Sequence, residues 1–197
     1  MSHYYISDEN LKSDPRSINY TYGGHLLKFT TDSGVFARNR VDFGTNVLLN
    51  SLPDLGNLKI LDVGCGVGVI GLSLAKRYPS STVTLIDINK RAVELTIQNA
   101  KNNNIKNINV IESNIYENVK DKFDVIITNP PIRAGKAVVH GIIDEAFDML
   151  NDGGRVYVVI QKKQGALSLK KLILSKYENC GELAKDSGYL VFEAFKK

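Results

Sequence analysis

Apolar positions along the chain fall into two alternating kinds of run. Short β-branched stretches at 58–63, 82–86, 108–111, 123–128 and 155–160 have the length and composition of buried strands. Between them lie longer segments with apolar residues every three or four positions, at 70–77, 90–102, 136–150 and 166–177. Ala92, Leu95 and Ala100, for example, mark one stripe of an amphipathic helix. Pro130-Pro131 stops the fourth of these strands, and Asp152-Gly153-Gly154 is read as closing the helix before the fifth. Two extended runs at 181–184 and 189–195, joined through Asp186-Ser187-Gly188, predict a closing antiparallel hairpin. Residues 1 to about 44 show no long period. A short strand at 25–31, a turn at 32–34 and a helix beginning at Thr45 as N-cap are expected there and just beyond.

Strands that alternate with helices of this length build βαβ units and a sheet covered on both faces. The expected fold is therefore α/β, a doubly wound, mostly parallel sheet with an antiparallel C-terminal hairpin. Residues 1–44 form an extension on a 45–197 domain. A chain of 197 residues, 43% apolar and 23% charged, carries enough apolar material for one real core. That excludes a disordered chain or a disulfide-stapled mini-protein. Two cysteines, Cys65 and Cys180, make no framework, and neither has metal-ligand spacing, so no metal is expected. With no secretory leader pattern and no long apolar span, no membrane association is expected and a cytoplasmic location is. The net charge of +4 leans only mildly toward polyanionic partners.

Leu61-Asp-Val-Gly-Cys-Gly-Val-Gly-Val-Ile-Gly71 follows a strand and opens a helix. Glycines there allow a sharp turn and a close backbone approach, and the helix start offers unpaired N–H donors. Asp87 ends the next strand, at the spacing of a carboxylate that grips ribose hydroxyls. Gly66, Gly68 and Gly71 satisfy a dinucleotide fingerprint, which leaves a nicotinamide cofactor open beside other adenosine cofactors. At the end of the fourth strand, Asn129-Pro130-Pro131 is a stiff turn rich in acceptors. The Asn carbonyl and the Pro130 carbonyl match the two hydrogens of an NH₂ group. That turn has no task in hydride transfer.

Asp62-x-Gly64-x-Gly66-x-Gly68 resembles the first motif of class I S-adenosylmethionine (SAM) methyltransferases, and Asn129-Pro-Pro resembles the motif of those that methylate amino nitrogens. With Thr30-Thr-Asp-Ser-Gly-Val-Phe36, Val41-Asp-Phe-Gly-Thr45, Asn129-Pro-Pro-Ile-Arg-Ala-Gly-Lys136 and Ile160-Gln-Lys-Lys-Gln-Gly165, nearly the whole chain is similar to the small single-domain members of the ribosomal small-subunit guanine-N2 methyltransferase family. The resemblance implies a seven-stranded Rossmann-like sheet and SAM as cofactor. The implied partner is ribosomal RNA or the small ribosomal subunit. It further implies that Asp62, Gly64, Gly66 and Gly68 line the methionine of SAM, that Cys65 and Ile88 lie beside the cofactor, that Asp87 binds the ribose and that Asn114 sits at the adenine. Asn129, Pro130 and Pro131 then hold the target amino group, with Asn129 also touching the cofactor.

Ile132 stands where that family usually has an aromatic residue, so ring contacts must come from elsewhere. Phe36, Tyr4 and Tyr5 are the aromatic candidates. Arg133, Lys136, Lys162 and Lys163 are expected at one sheet edge, where they would meet phosphates. Asn114 replaces a common Asp. Adenine N6, a protein glutamine amide, or RNA binding with SAM but without turnover are the competing functions. His140 is expected to pack in a helix rather than to catalyse.

Overall fold

The computed structural model describes residues 11–197. Tyr4 and Tyr5 lie outside the described residues. The chain first forms a hairpin, β1 (Arg16–Tyr22) and β2 (His25–Thr31), and then α1 (Phe43–Ser51). The alternating core follows as β3 (Lys59–Val63), α2 (Val69–Arg77), β4 (Thr82–Asp87), α3 (Lys90–Asn102), β5 (Ile108–Glu112), β6 (Phe123–Thr128), α4 (Lys136–Met149), β7 (Leu150–Gln161) and α5 (Ala166–Tyr177). The final hairpin is β8 (Gly181–Asp186) and β9 (Tyr189–Phe195). Seven strands form one sheet in the order β5-β4-β3-β6-β7-β9-β8. The first five are mutually parallel, and β9 pairs antiparallel with both β7 and β8. The pattern predicted a doubly wound, mostly parallel sheet closed by an antiparallel hairpin, and the resemblance implied seven Rossmann-like strands; the structure has both.

Both faces of the sheet are buried, and alternate residues of each strand divide between two cores. Ile60, Val125, Ile127, Tyr157 and Val191 join α1, α2 and α3 on one side. Leu61, Ile126, Val156, Val158 and Phe192 meet α4 and α5 on the other. That two-sided burial is why the strands read as continuous apolar runs. The order reverses beside β3, where the chain passes from β5 back to β6. Such a switch point opens a crevice at the carboxyl ends of the strands.

Three local expectations change. The strand β1 lies in a stretch taken to lack regular structure. Only Ile18 and Tyr22 are fully buried along it, and its partner β2 supplies the rest of its order. Gly23 and Gly24, both at positive φ, make the tight turn between them. Helix α1 begins at Phe43 and is capped by Asp42, whose side chain accepts from Thr45 N; Thr45 is inside the helix, not its cap. Finally, Asp152-Gly153-Gly154 does not close a helix. It lies within β7, where Gly153 N donates to Lys196 O and Lys196 N to Gly154 O, and the register with β6 shifts. These bonds to the chain's far end convert a turn-like tripeptide into strand.

One glycine is set by packing alone. A Cβ on Gly71 of α2 would stand 2.4 Å from Leu85 Cδ2 and 2.6 Å from its Cγ. Leu85 is fully buried and has nowhere to move. Gly71→Ala is expected to destabilise the fold by about 1–3 kcal/mol, read as a lowered melting midpoint by calorimetry.

Candidate active site

The crevice at the switch point holds a cavity of about 320 Å³. Its floor is the turn after β3. Gly64 N and Cys65 N both donate to Ile86 O at 2.9 Å, which ties that turn to β4. Gly64, Gly66 and Gly68 take φ values of +72°, +56° and +90°, a region costly for other residues. Their surroundings differ. A Cβ on Gly66 would meet nothing within 4 Å, and one on Gly64 only Pro131 Cδ at 3.9 Å. A Cβ on Gly68 would strike Leu72 at 2.9 Å and Thr96 at 3.0 Å. Gly64 and Gly66 thus border open space, while Gly68 packs against protein.

Two carboxylates hold this turn. Asp87 Oδ2 accepts from Gly66 N and its Oδ1 from Asn89 N, both at 2.8 Å. Burial raises the Asp87 pKa, opposed by those N–H donors. Asp62 is completely buried behind the turn. Its Oδ2 accepts from Gly71 N at 2.8 Å, whereas Oδ1 is buried without a hydrogen-bond partner among the described residues. Burial, with the Asp87 charge adding to it, pushes its pKa up to about 7.

A raised carboxyl pKa means that the folded chain binds more protons than the unfolded one between the ordinary 3.8 and about 7. Stability of the cofactor-free protein therefore falls as pH rises through that window, by roughly 4 kcal/mol in total. Asp62→Asn keeps the acceptor for Gly71 N and removes the titration. Melting curves from pH 5 to pH 8 should flatten in that variant.

Beside the glycine turn stands Asn129, one residue past Thr128, the β6 partner of Val63, where β6 runs into Pro130 and Pro131 and then a single 3₁₀ turn at Ile132–Ala134. The Asn129 amide nitrogen donates to Asp42 Oδ2 and to Thr45 Oγ1, both at 3.0 Å. A carboxylate oxygen only accepts, so the NH₂ must face it and the carbonyl oxygen is left to accept. Tyr189, at the start of β9, lines the same cavity. Its ring lies 5.5 Å from that of Phe43 and crosses the first turn of α1, where Gly44 gives it room.

Of the other residues singled out in the sequence, Ile88, Asn114, Phe36, Ile132 and Arg133 line the cavity. Phe36 is brought there by a loop pinned to the start of α3, where Asn89 Nδ2 donates to Gly34 O and Arg91 to Ser33 O. Asn114 Nδ2 donates to Glu117 Oε1 at 2.9 Å. Lys136, Lys162 and Lys163 do not line the cavity. They are exposed just after β6 and β7, which are neighbouring strands. Asp62, Cys65 and Gly68 lie behind the glycine turn rather than on the cavity wall. Burial together with Asp87 and Asp62 pushes the Cys65 thiol well up, so it stays protonated and inert. His140 is half-buried against Ser168, away from the cavity. Asp42, Tyr189, Ser113 and Gln164 line the cavity but carried no assigned role in the sequence. An acidic residue just before a helical run is a legible cap signal for Asp42. Tyr189 has no local signal at all.

Residues 26–193 match the family described as "Methyltransferase small domain". The chain belongs to this family. It is a class I methyltransferase, and its cofactor is SAM. Among similar proteins, the uncharacterized protein YbxB of Bacillus subtilis (strain 168) is 41% identical and matches over 98% of both chains. The "Ribosomal RNA small subunit methyltransferase C" of Hahella chejuensis is 39% identical over 69% of this chain but only 41% of its own length. The solved structure of the "16S rRNA N2 G1207 methyltransferase (RsmC)" of T. thermophilus, in complex with AdoMet and guanosine, superposes with a TM-score of 0.84 at 25% identity. It covers 93% of this chain and 51% of that one, so the chain spans about half the length or less of these two ribosomal RNA methyltransferases.

The residues present fit SAM. The open space over Gly64 and Gly66 is one that a Cβ would fill, and Asp87 stands beside it with acceptor capacity left on both oxygens. Asp62 Oδ1, buried behind that turn without a hydrogen-bond partner among the described residues, is an unused polar atom beside the same space.

Proposed function

We propose that this methyltransferase modifies the exocyclic N2 of a guanine in small-subunit ribosomal RNA, acting in the cytoplasm. The observation that carries the reading is the fixed Asn129 amide, whose NH₂ donates to Asp42 and Thr45 and whose carbonyl is left to accept from a substrate. Asn129 Oδ1 and the Pro130 carbonyl accept the two hydrogens of the target NH₂. An amino nitrogen on a heteroaromatic ring is a poor nucleophile because its lone pair is delocalised. Two acceptors in fixed places favour the pyramidal nitrogen and aim that lone pair, which is catalysis by orientation and preset polarity. Bound SAM would give up its methyl to that nitrogen and keep the electron pair of the sulfur–carbon bond. The amino proton then leaves to solvent, so no strong base is required.

Ring contacts missing at Ile132 come from Phe36 and Tyr189, which line the cavity from two other segments. Arg133 at the rim and exposed Lys136, Lys162 and Lys163 meet phosphates, which makes RNA binding salt-dependent. Guanine is favoured over adenine or glutamine amide by the two similar ribosomal RNA methyltransferases, both named for small-subunit ribosomal RNA and one for N2 of a guanine.

The test is transfer of radiolabelled methyl from SAM to small subunits taken from cells that lack this protein, followed by digestion to nucleosides. Labelled N2-methylguanosine is the expected product. Labelled N6-methyladenosine or protein glutamine would overturn the substrate. SAM binding with no transfer to any of these would point to an RNA-binding role without turnover.

A further inference from the structure

We propose that Asp42 is the positioning residue that gives Asn129 its orientation and sharpens its carbonyl as an acceptor. An asparagine amide has two nearly isosteric orientations, related by a half-turn about its last bond. In one, the carbonyl meets the target amino group. In the other, the NH₂ does, and two sets of donors confront each other. The backbone of Asn129-Pro130-Pro131 cannot choose between them. Thr45 Oγ1 cannot choose either, because a hydroxyl donates as readily as it accepts. Asp42 Oδ2, 3.0 Å from Asn129 Nδ2, accepts only. A reversed amide would set its oxygen against a carboxylate oxygen.

Asp42 is itself fixed. As N-cap of α1 it has extended backbone, and the same Oδ2 accepts from Thr45 N at 3.2 Å. Helix α1 is anchored by buried Val47, Leu48 and Leu49. A helix start thus holds a side chain 87 residues later in the chain. The carboxylate also polarises the amide. Drawing on its N–H increases the negative charge on its oxygen, as neighbouring hydrogen bonds in a low-dielectric site reinforce one another.

This inference rests on the reading of Asn129 given above, and two variants separate it from a plain capping role. Asp42→Ser keeps a good cap for Thr45 N but is too short to reach Asn129. Asp42→Asn can keep both bonds, since Thr45 N forces its carbonyl oxygen into the place of Oδ2. Turnover with SAM and small subunits should fall about 100-fold in Asp42→Ser and stay within about tenfold of wild type in Asp42→Asn. SAM affinity by calorimetry and the melting midpoint should change little in either. Equal turnover in Asp42→Ser and wild type would overturn the proposal. So would an Asp42→Asn variant as inactive as Asp42→Ser, because the carboxylate would then act as a base.

The Asn129 side-chain NH₂ resonances give a readout without any substrate. In asparagine-labelled protein they should be shifted and slow to exchange in wild type and Asp42→Asn, and become solvent-like in Asp42→Ser. Unchanged resonances in Asp42→Ser would overturn the proposal. If wild type methylates nothing, the proposed function fails, and these resonances still decide the role of Asp42.

Discussion

Asn129→Ala reduces methyl transfer by about 10³-fold, while SAM binds within about threefold of its wild-type affinity. Alanine removes the carbonyl proposed to accept from the target amino group and leaves the glycine turn, Asp87 and Ile88 untouched. The fold survives because Asn129 is only half-buried and Asp42 still accepts from Thr45 N. Single-turnover assays with saturating SAM, paired with calorimetry, check both halves of this expectation. Asn129→Asp should fare no better despite its similar shape. It would set a carboxylate about 3 Å from Asp42 Oδ2, where two like charges cannot both ionise. Wild-type turnover in either variant would remove Asn129 from the chemistry.

Asp87→Ala weakens SAM binding by about 100-fold. Each Asp87 oxygen takes one backbone N–H, from Gly66 and from Asn89, so the carboxylate joins the glycine turn to the start of α3. The proposed contact with the ribose hydroxyls uses the remaining lone pairs, and charge-assisted bonds of that kind are worth about 1.5–3 kcal/mol each. A 100-fold loss is about 2.7 kcal/mol, which one or two such contacts supply. The N–H groups left without a partner cost about 1–3 kcal/mol of stability. Calorimetric titration with SAM, read beside a melting curve, separates lost ligand contacts from a loosened turn. A variant that melts lower but binds SAM as wild type would confine Asp87 to a structural role.

Both expectations draw on motifs that are contiguous in the chain, and contiguity explains how much was legible. Helices α3 and α5 and strand β6 lie at the bounds expected from period and punctuation, because their apolar spacing answers to helix and strand geometry alone. The glycine turn reads directly, since positive φ at Gly64 and Gly66 is a backbone requirement that few other residues meet. The Asn129-Pro130-Pro131 turn reads in the same way from its fixed φ angles and exposed acceptors. What failed to read depends on distant partners. Strand β1 exists because β2 pairs with it, and Asp152-Gly153-Gly154 is strand because Lys196 bonds across to it.

The sequence by itself determined the alternation of strands and helices from β3 onward, the glycine turn after β3 and the stiff, acceptor-rich turn at Asn129-Pro130-Pro131. These follow from local dihedral limits and from the period with which apolar side chains repeat. Only the tertiary structure decided which partners the Asn129 amide takes, that Tyr189 and Phe36 line the same cavity as Ile132, and that Gly64 and Gly66 face open space while Gly68 faces protein. An amide's orientation, a shared wall and an open space are each set by atoms from separate segments. Their positions are fixed only when the two cores close on the sheet.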